Sequence, residues 1–205
     1  MANYSWGDNT NVVCSEHSIK EHNLYRTLNE IWFNCEVKDE SINKLIKLMY
    51  EIIHDDKMSA YREKAVPIEI ILHIDSYGGS VKSMFKFIDF VYLLKKRDVR
   101  LRTIINGCAA SAASLMAIVG DERQMTAHSY AMIHELSTIY SGTYTHIKSY
   151  SKCIDFLQRK ISDIYVKHRV QRDGMPELDI ADMLQKETWM DADEYQKLGF
   201  VDTIL

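Results

Sequence analysis

Apolar residues along this chain fall into blocks whose spacing alternates between that of strands and that of helices. Up to about Asn23 few core-forming residues occur among Gly, Asn and Ser, so residues 1–23 are expected to form a mobile or partner-ordered arm. Order is expected from Leu24 onward. Ile31, Trp32 and Phe33 suit a short buried strand, and Ile42, Leu45, Ile46, Met49, Ile52 and Ile53 recur at helical spacing behind a cap at Asp39 or Ser41. A charged connection ends at Pro67. Ile68 to Ile74 (IEIILHI) is then almost continuously apolar, which predicts a central strand covered on both faces. Gly78 and Gly79 break the chain, and Val81, Met84, Phe85, Ile88, Val91 and Tyr92 mark the buried stripe of a second helix. The same order repeats as RLRTIIN, Gly107 and a small-residue helix from Ala109 to Val119.

QMTAH and YAMIHEL are two further strand candidates. After the SGT turn a long helix is expected from about Thr143 to His168, with Ile147, Tyr150, Ile154, Leu157, Ile161 and Ile164 stepping by three and four residues. Such a seam suits packing against a partner, although a helix can also turn it toward its own domain. RDGMPE reads as a loop, ELDIADML as a short helix leading to KETWM, and Asp191 with Glu194 as a capping box for a last helix that ends at Gly199. Strands alternating with helices in this way predict βαβ units, an α/β class and a mostly parallel sheet with helices on its faces.

Composition narrows the function classes. With 205 residues, 46% hydrophobic and 26% charged, the chain has the balance of one globular domain. A net charge of −4 offers no basic footprint for nucleic acid. The longest apolar stretch, Ala109 to Val119, is far shorter than the roughly 20 residues of a membrane span. MANYSWGDNTNVV has neither the basic start nor the apolar block of a secretory signal, so the cytoplasm is expected. Cys14, Cys35, Cys108 and Cys153 form no CxxC pair and the eight histidines no HExxH, so no metal, no cofactor and free thiols are expected.

Three segments have the residue types of a reaction site: DSYGGS (Asp75 to Ser80), NGCAASAASL (Asn106 to Leu115) and MIHEL (Met132 to Leu136), each at an expected strand end. Ser111 falls in the first turn of an expected helix among Gly107, Ala109, Ala110, Ala112 and Ala113, where a substrate backbone can approach and amides can face developing negative charge. A serine among alanines is more often a packing residue, and the motif is not the GxSxG of α/β-hydrolases. A hydroxyl also needs a base, commonly a histidine oriented by a carboxylate. His134 is the best placed, although a histidine in an apolar strand is usually a satisfied core residue. Asp75, Asp121, Glu135, Glu187 and Asp191 compete as the carboxylate, and Ser114 rivals Ser111 one helical turn later. Cys108 has no adjacent cation or base to activate its thiol and reads as packing.

Together DSYGGSV, GCAASAASL, MIHEL and ETWMDADEYQKLGFVD resemble, in order and separation, the landmarks of the ClpP family, the proteolytic subunits of Clp proteases, over roughly Leu24 to Leu205. The resemblance implies a ClpP/crotonase-like spiral of βαβ units with a protruding handle at about residues 137–170, the handle meeting its counterpart between stacked rings. It implies hydrolysis of peptides or unfolded proteins through an acyl-enzyme, without a cofactor, inside a homo-oligomer: a heptameric ring or a stacked tetradecamer, with a possible AAA+ unfoldase as partner. By position, Ser111 matches the nucleophile and His134 the general base. Glu187 stands where the family usually has Asp, and the backbone N–H groups of Gly78 and Ala112 match the oxyanion hole. There are three departures from the pattern: Glu187 is one methylene longer, Tyr77 replaces the proline before the Gly-Gly turn, and Ile71 and His73 replace aromatic residues of the chaperone-docking pocket. Glu187 and Tyr77 motivate a second reading, an inactive or weakly active ring subunit, and a phage-type maturation peptidase acting without an unfoldase is another. Acyl-CoA chemistry on the crotonase fold is a further rival, which has no need of a Ser/His pair.

Overall fold

Alternate residues of a strand face opposite sides, and in the computed structural model that alternation decides which side of the sheet the helices cover. The structure describes residues 23–55, 66–170 and 178–205. All of the expected arm except its last residue, Asn23, most of the charged connection and the RDGMPE loop lie outside them. In β3 (Ile68–Ser76) the side chains of Ile68, Ile70, Leu72, Ile74 and Ser76 are buried while Glu69, Ile71 and His73 on the other face are partly exposed. Helices α1 (Asp39–Ile53) and α2 (Val81–Lys95) join the same buried cluster through Ile42, Leu45, Met49, Met84, Phe87 and Val91. The expectation of a strand covered on both faces is therefore corrected. IEIILHI misleads because Ile71 stands on the outer face between Glu69 and His73.

That outer face is polar. Arg102 bridges Glu69 at 3.0 Å and Glu122 at 3.2 Å, and His73 bonds Glu30 at 3.1 Å while its ring stacks on Trp32 with centroids 3.8 Å apart. On the covered face each fully buried Leu or Ile contributes about 1.5–3 kcal/mol relative to exposure, so the helical side supplies most of the fold's stability.

The sheet runs β1-β2-β3-β4-β5-β8, where β1 is Leu24–Thr27, β2 Glu30–Phe33, β4 Val99–Ala110, β5 Glu122–Met125 and β8 Thr203–Ile204. All neighbours are parallel except the β1/β2 hairpin. β4 forks: Arg102–Ile105 pair with β5, whereas Cys108–Ala110 pair with β6 (Tyr130–Ile133), itself antiparallel to β7 (Thr188–Asp191). Gly107 makes the fork with φ of +121°. A Cβ there would lie 2.6 Å from the Asp75 carboxylate, whose oxygen accepts the Cys108 N–H at 2.9 Å. The sequence reading of Gly107 as a strand end, with a helix from Ala109 to Val119, is corrected. The strand continues to Ala110, and helix α3 spans only Ala112–Ile118.

Helix α4 (Tyr144–His168) begins at the Thr143 cap and covers 25 residues, of which only Ile161 and Tyr165 are buried. Its first turns project from the domain, leaving Ile147 48% and Phe156 49% exposed. Its C-terminal end is anchored: Tyr92 and His168 share a 2.7 Å hydrogen bond, and Tyr165 packs edge-on against Phe200. The remaining helices are α5 (Ile180–Gln185) and α6 (Ala192–Lys197). Asp191 caps α6 by accepting the Glu194 N–H at 2.9 Å, and Gly199 follows with φ of +81°. At α1 the expected cap is shifted: Lys38 is the N-cap residue, and Ser41 reaches back to accept its N–H at 3.0 Å.

Candidate active site

Because β4 forks, its last residues leave the main sheet and deliver Ser111 to a sharp strand-to-helix turn. Ser111 has φ of +56° and ψ of −125°, a backbone conformation costing an L-residue about 1–3 kcal/mol. The turn is pinned on both sides: the Ser111 N–H donates to the Met132 carbonyl at 2.9 Å, and the Ser111 carbonyl accepts the Ser114 N–H at 3.1 Å and the Ser114 hydroxyl at 2.6 Å. Ser111 is the N-cap of α3, a position whose hydroxyl normally accepts from the helix's first amides. Here it makes no such cap bond. It meets His134 Nε2 at 2.8 Å instead. The chain thus has a strained strand-to-helix turn at a serine without the GxSxG motif.

His134 follows the last residue of β6. Ile133 is paired with Thr188, and the next N–H, of Glu135, donates to the Leu184 carbonyl at 2.9 Å, so the backbone on both sides of the imidazole is fixed. Gln158 of α4 accepts the Leu136 N–H at 2.8 Å and ties the continuing chain to the long helix.

Glu187 immediately precedes Thr188, the β7 partner of Ile133, so it lies beside the ladder end from which His134 follows. Glu187 is exposed, and among the described residues no hydrogen bond joins its carboxylate to the imidazole. It has φ of +50° just past the end of α5, where the left-handed conformation ordinarily selects glycine or asparagine.

Gly78, with φ of +97°, lies against the Ser111 turn. A Cβ there would sit 2.6 Å from the Ala110 carbonyl oxygen, 2.8 Å from Ser111 Cβ and 3.0 Å from the Ala112 nitrogen. Its N–H donates to the Ser76 hydroxyl at 3.1 Å, and that hydroxyl donates to the Cys35 carbonyl at 2.6 Å. Ala112 opens α3, so its N–H has no carbonyl one turn back to donate to.

The competing residues have other partners. Ser114 is fully buried and bonded to Ser111 and to Tyr165. Asp75 holds the fork, Asp121 pairs with Lys95 at 2.9 Å, Asp191 caps a helix and Glu135 is exposed. Cys108 is buried beside Tyr130, and burial pushes its thiol up from the ordinary value, so it stays protonated. Tyr77, 71% exposed, bonds the Tyr130 hydroxyl at 3.1 Å and so ties the Gly-Gly turn to β6. That bond and burial hold the Tyr130 phenol above its usual range. Sequence reasoning passed over Tyr130, Tyr165 and Ser76; nothing local distinguishes them, since each acts on a segment distant in the chain.

A cavity of about 310 Å³ opens beside Ser111 and His134, walled by Val81, Leu115, Met132, Leu136 and Ile161. A mostly apolar recess next to a hydroxyl and imidazole suits an apolar side chain adjoining a reacting carbonyl. Among the described residues no group of three or more His, Cys, Asp or Glu side chains is placed to hold a metal ion, and no helix is long and apolar enough to cross a membrane. Set against known protein families, the chain matches the model described as Clp protease over residues 20–205.

Proposed function

The chain belongs to the Clp protease family, and we propose on that premise that it is a serine endopeptidase with Ser111 as nucleophile and His134 as general base. The observation that carries the reading is the 2.8 Å contact between His134 Nε2 and a Ser111 hydroxyl that caps no helix. In the first half-reaction the Ser111 oxygen attacks the scissile carbonyl carbon and its proton passes to Nε2. The C–N bond then breaks as His134 returns that proton to the leaving amine. Water attacks the resulting ester, again losing a proton to His134, and the serine leaves with it. The oxyanion of each tetrahedral intermediate is assigned to the N–H groups of Ala112 and Gly78, the latter exchanging its bond to Ser76 for one to substrate.

Glu187 is assigned to the second ring nitrogen of His134. An acidic residue in a left-handed position that favours glycine supports this role, because such strain persists where function needs the side chain. A rotation of the Glu187 side chain completes the triad. Glu187→Gln is expected to lower kcat/KM about 10²–10³-fold while Glu187→Asp keeps most activity. Full activity in Glu187→Gln would remove the residue from the mechanism.

The proposed assembly is a cytoplasmic homo-oligomer, one seven-membered ring or two stacked as a tetradecamer, with α4 as the ring-to-ring contact and an AAA+ unfoldase feeding unfolded protein. The exposed Ile147 and Phe156 and the half-buried Ile154 and Leu157 along α4 support it. Ile154→Asp or Leu157→Asp is expected to halve the mass seen by sedimentation, and an unchanged sedimentation coefficient would reject that contact.

A second reading, a weakly active or inactive ring subunit, is favoured by the lack of a Glu187–His134 bond. Hydrolysis of a fluorogenic peptide with an apolar residue before the scissile bond separates the two. The peptidase reading expects turnover by the purified oligomer that disappears in Ser111→Ala, and an assembled protein without turnover supports the structural subunit.

A further inference from the structure

The strained Ser111 turn is connected to the long helix by hydrogen bonds that the catalytic scheme leaves unused. Ser114 Oγ lies 2.6 Å from the Ser111 carbonyl oxygen and 2.6 Å from the Tyr165 hydroxyl. A serine hydroxyl has one proton to give, and the carbonyl can only accept, so Ser114 donates to Ser111 and the Tyr165 phenol donates to Ser114. Ser114 is 0% and Tyr165 1% exposed, so water does not compete for these bonds. Burial also raises the Tyr165 phenol above its ordinary range, which keeps it a donor at any working pH.

We propose that Ser114 and Tyr165 are positioning residues for the nucleophile: the phenol on α4 orients the Ser114 hydroxyl, which clamps the Ser111 carbonyl and holds the left-handed turn that aims Ser111 Oγ at His134. This rests on the serine peptidase reading and adds to it a reason why the base of α4 adjoins the reaction site. Without the clamp the turn relaxes toward commoner backbone angles, and the Ser111–His134 line loosens while the apolar recess keeps its walls.

The test uses Ser114→Ala, Tyr165→Phe and the double variant on the full-length assembled protein. Each single variant strands a buried polar group or weakens the clamp, so a lower melting temperature alone is uninformative. In the double variant both polar groups are gone and stability should return close to wild type, because removing both partners leaves nothing buried and unpaired. A positioning role expects kcat to stay about tenfold low in the restored double variant with KM within about twofold, since slight misplacement of a reacting group slows chemistry more than binding. The rate of labelling by a fluorophosphonate should fall in parallel. Recovery of wild-type kcat and labelling along with stability overturns the positioning role and makes the bonds purely structural. A wild-type protein that takes no label overturns the peptidase reading itself, and these two failures are told apart in the same experiment.

Discussion

Ser111→Ala and His134→Ala are each expected to lower kcat by on the order of 10⁶, and the double variant to be no slower than either. As proposed nucleophile and base the two act as one unit: once the 2.8 Å contact is lost, the remaining partner has nothing to deprotonate or be deprotonated by. Residual hydrolysis then comes from the amides of Gly78 and Ala112 and from the recess. Ser111 carries a second expectation, in stability. With φ of +56° and ψ of −125° it holds strain that alanine shares and glycine does not. Ser111→Ala should therefore melt near wild type, whereas Ser111→Gly should be inactive yet more stable by about 1 kcal/mol, measured by denaturant unfolding. A destabilised Ser111→Gly would mean that the turn is not strained.

Gly78→Ala is expected to lose about 10²–10³-fold in kcat/KM and about 3 kcal/mol of stability together. Two causes add at this residue. A φ of +97° is unfavourable for any residue with a Cβ, and the new carbon would meet the Ala110 oxygen, Ser111 Cβ and the Ala112 nitrogen at 2.6, 2.8 and 3.0 Å, all in or beside backbone with little freedom to yield. Relief pushes the glycine turn and the Ser111 turn apart, separating the two proposed oxyanion donors. Gly79→Ala is the control. Its Cβ would collide with the Val37 carbonyl oxygen at 2.4 Å, away from Ser111, so it should cost stability with a much smaller change in kcat. Equal loss of kcat in both variants would contradict a direct role for Gly78.

Much of this was legible in the sequence because it depends on short-range periodicity. The stripes of α1 and α2, the α4 seam and the Asp191 cap are each written within one or two helical turns. The course of β4 was not. Gly107 reads as a terminator, and only Asp75, 32 positions earlier, turns it into a bend by filling the place a Cβ would take. For the same reason Ser111 was expected inside a helix rather than at its cap. The face of β3 was obscured by Ile71, whose apolarity says nothing about which side the helices cover. At the site, the family resemblance singles out Ser111 and His134, which lie 2.8 Å apart, and Glu187, which precedes the β7 residue paired with Ile133. The geometry of the Glu187 carboxylate, the bond from Gly78 to Ser76 and the Tyr165–Ser114 link depend on side-chain packing between distant segments.

The most direct measurement is peptide mapping by mass spectrometry after treating the assembled protein with a fluorophosphonate, which reacts with a serine only when an adjacent base and amide donors activate it. One phosphonyl group is expected, on the peptide bearing Ser111, absent from Ser111→Ala and strongly reduced in His134→Ala. An assembled protein left unmodified, or one labelled at another residue such as Ser114, would contradict it.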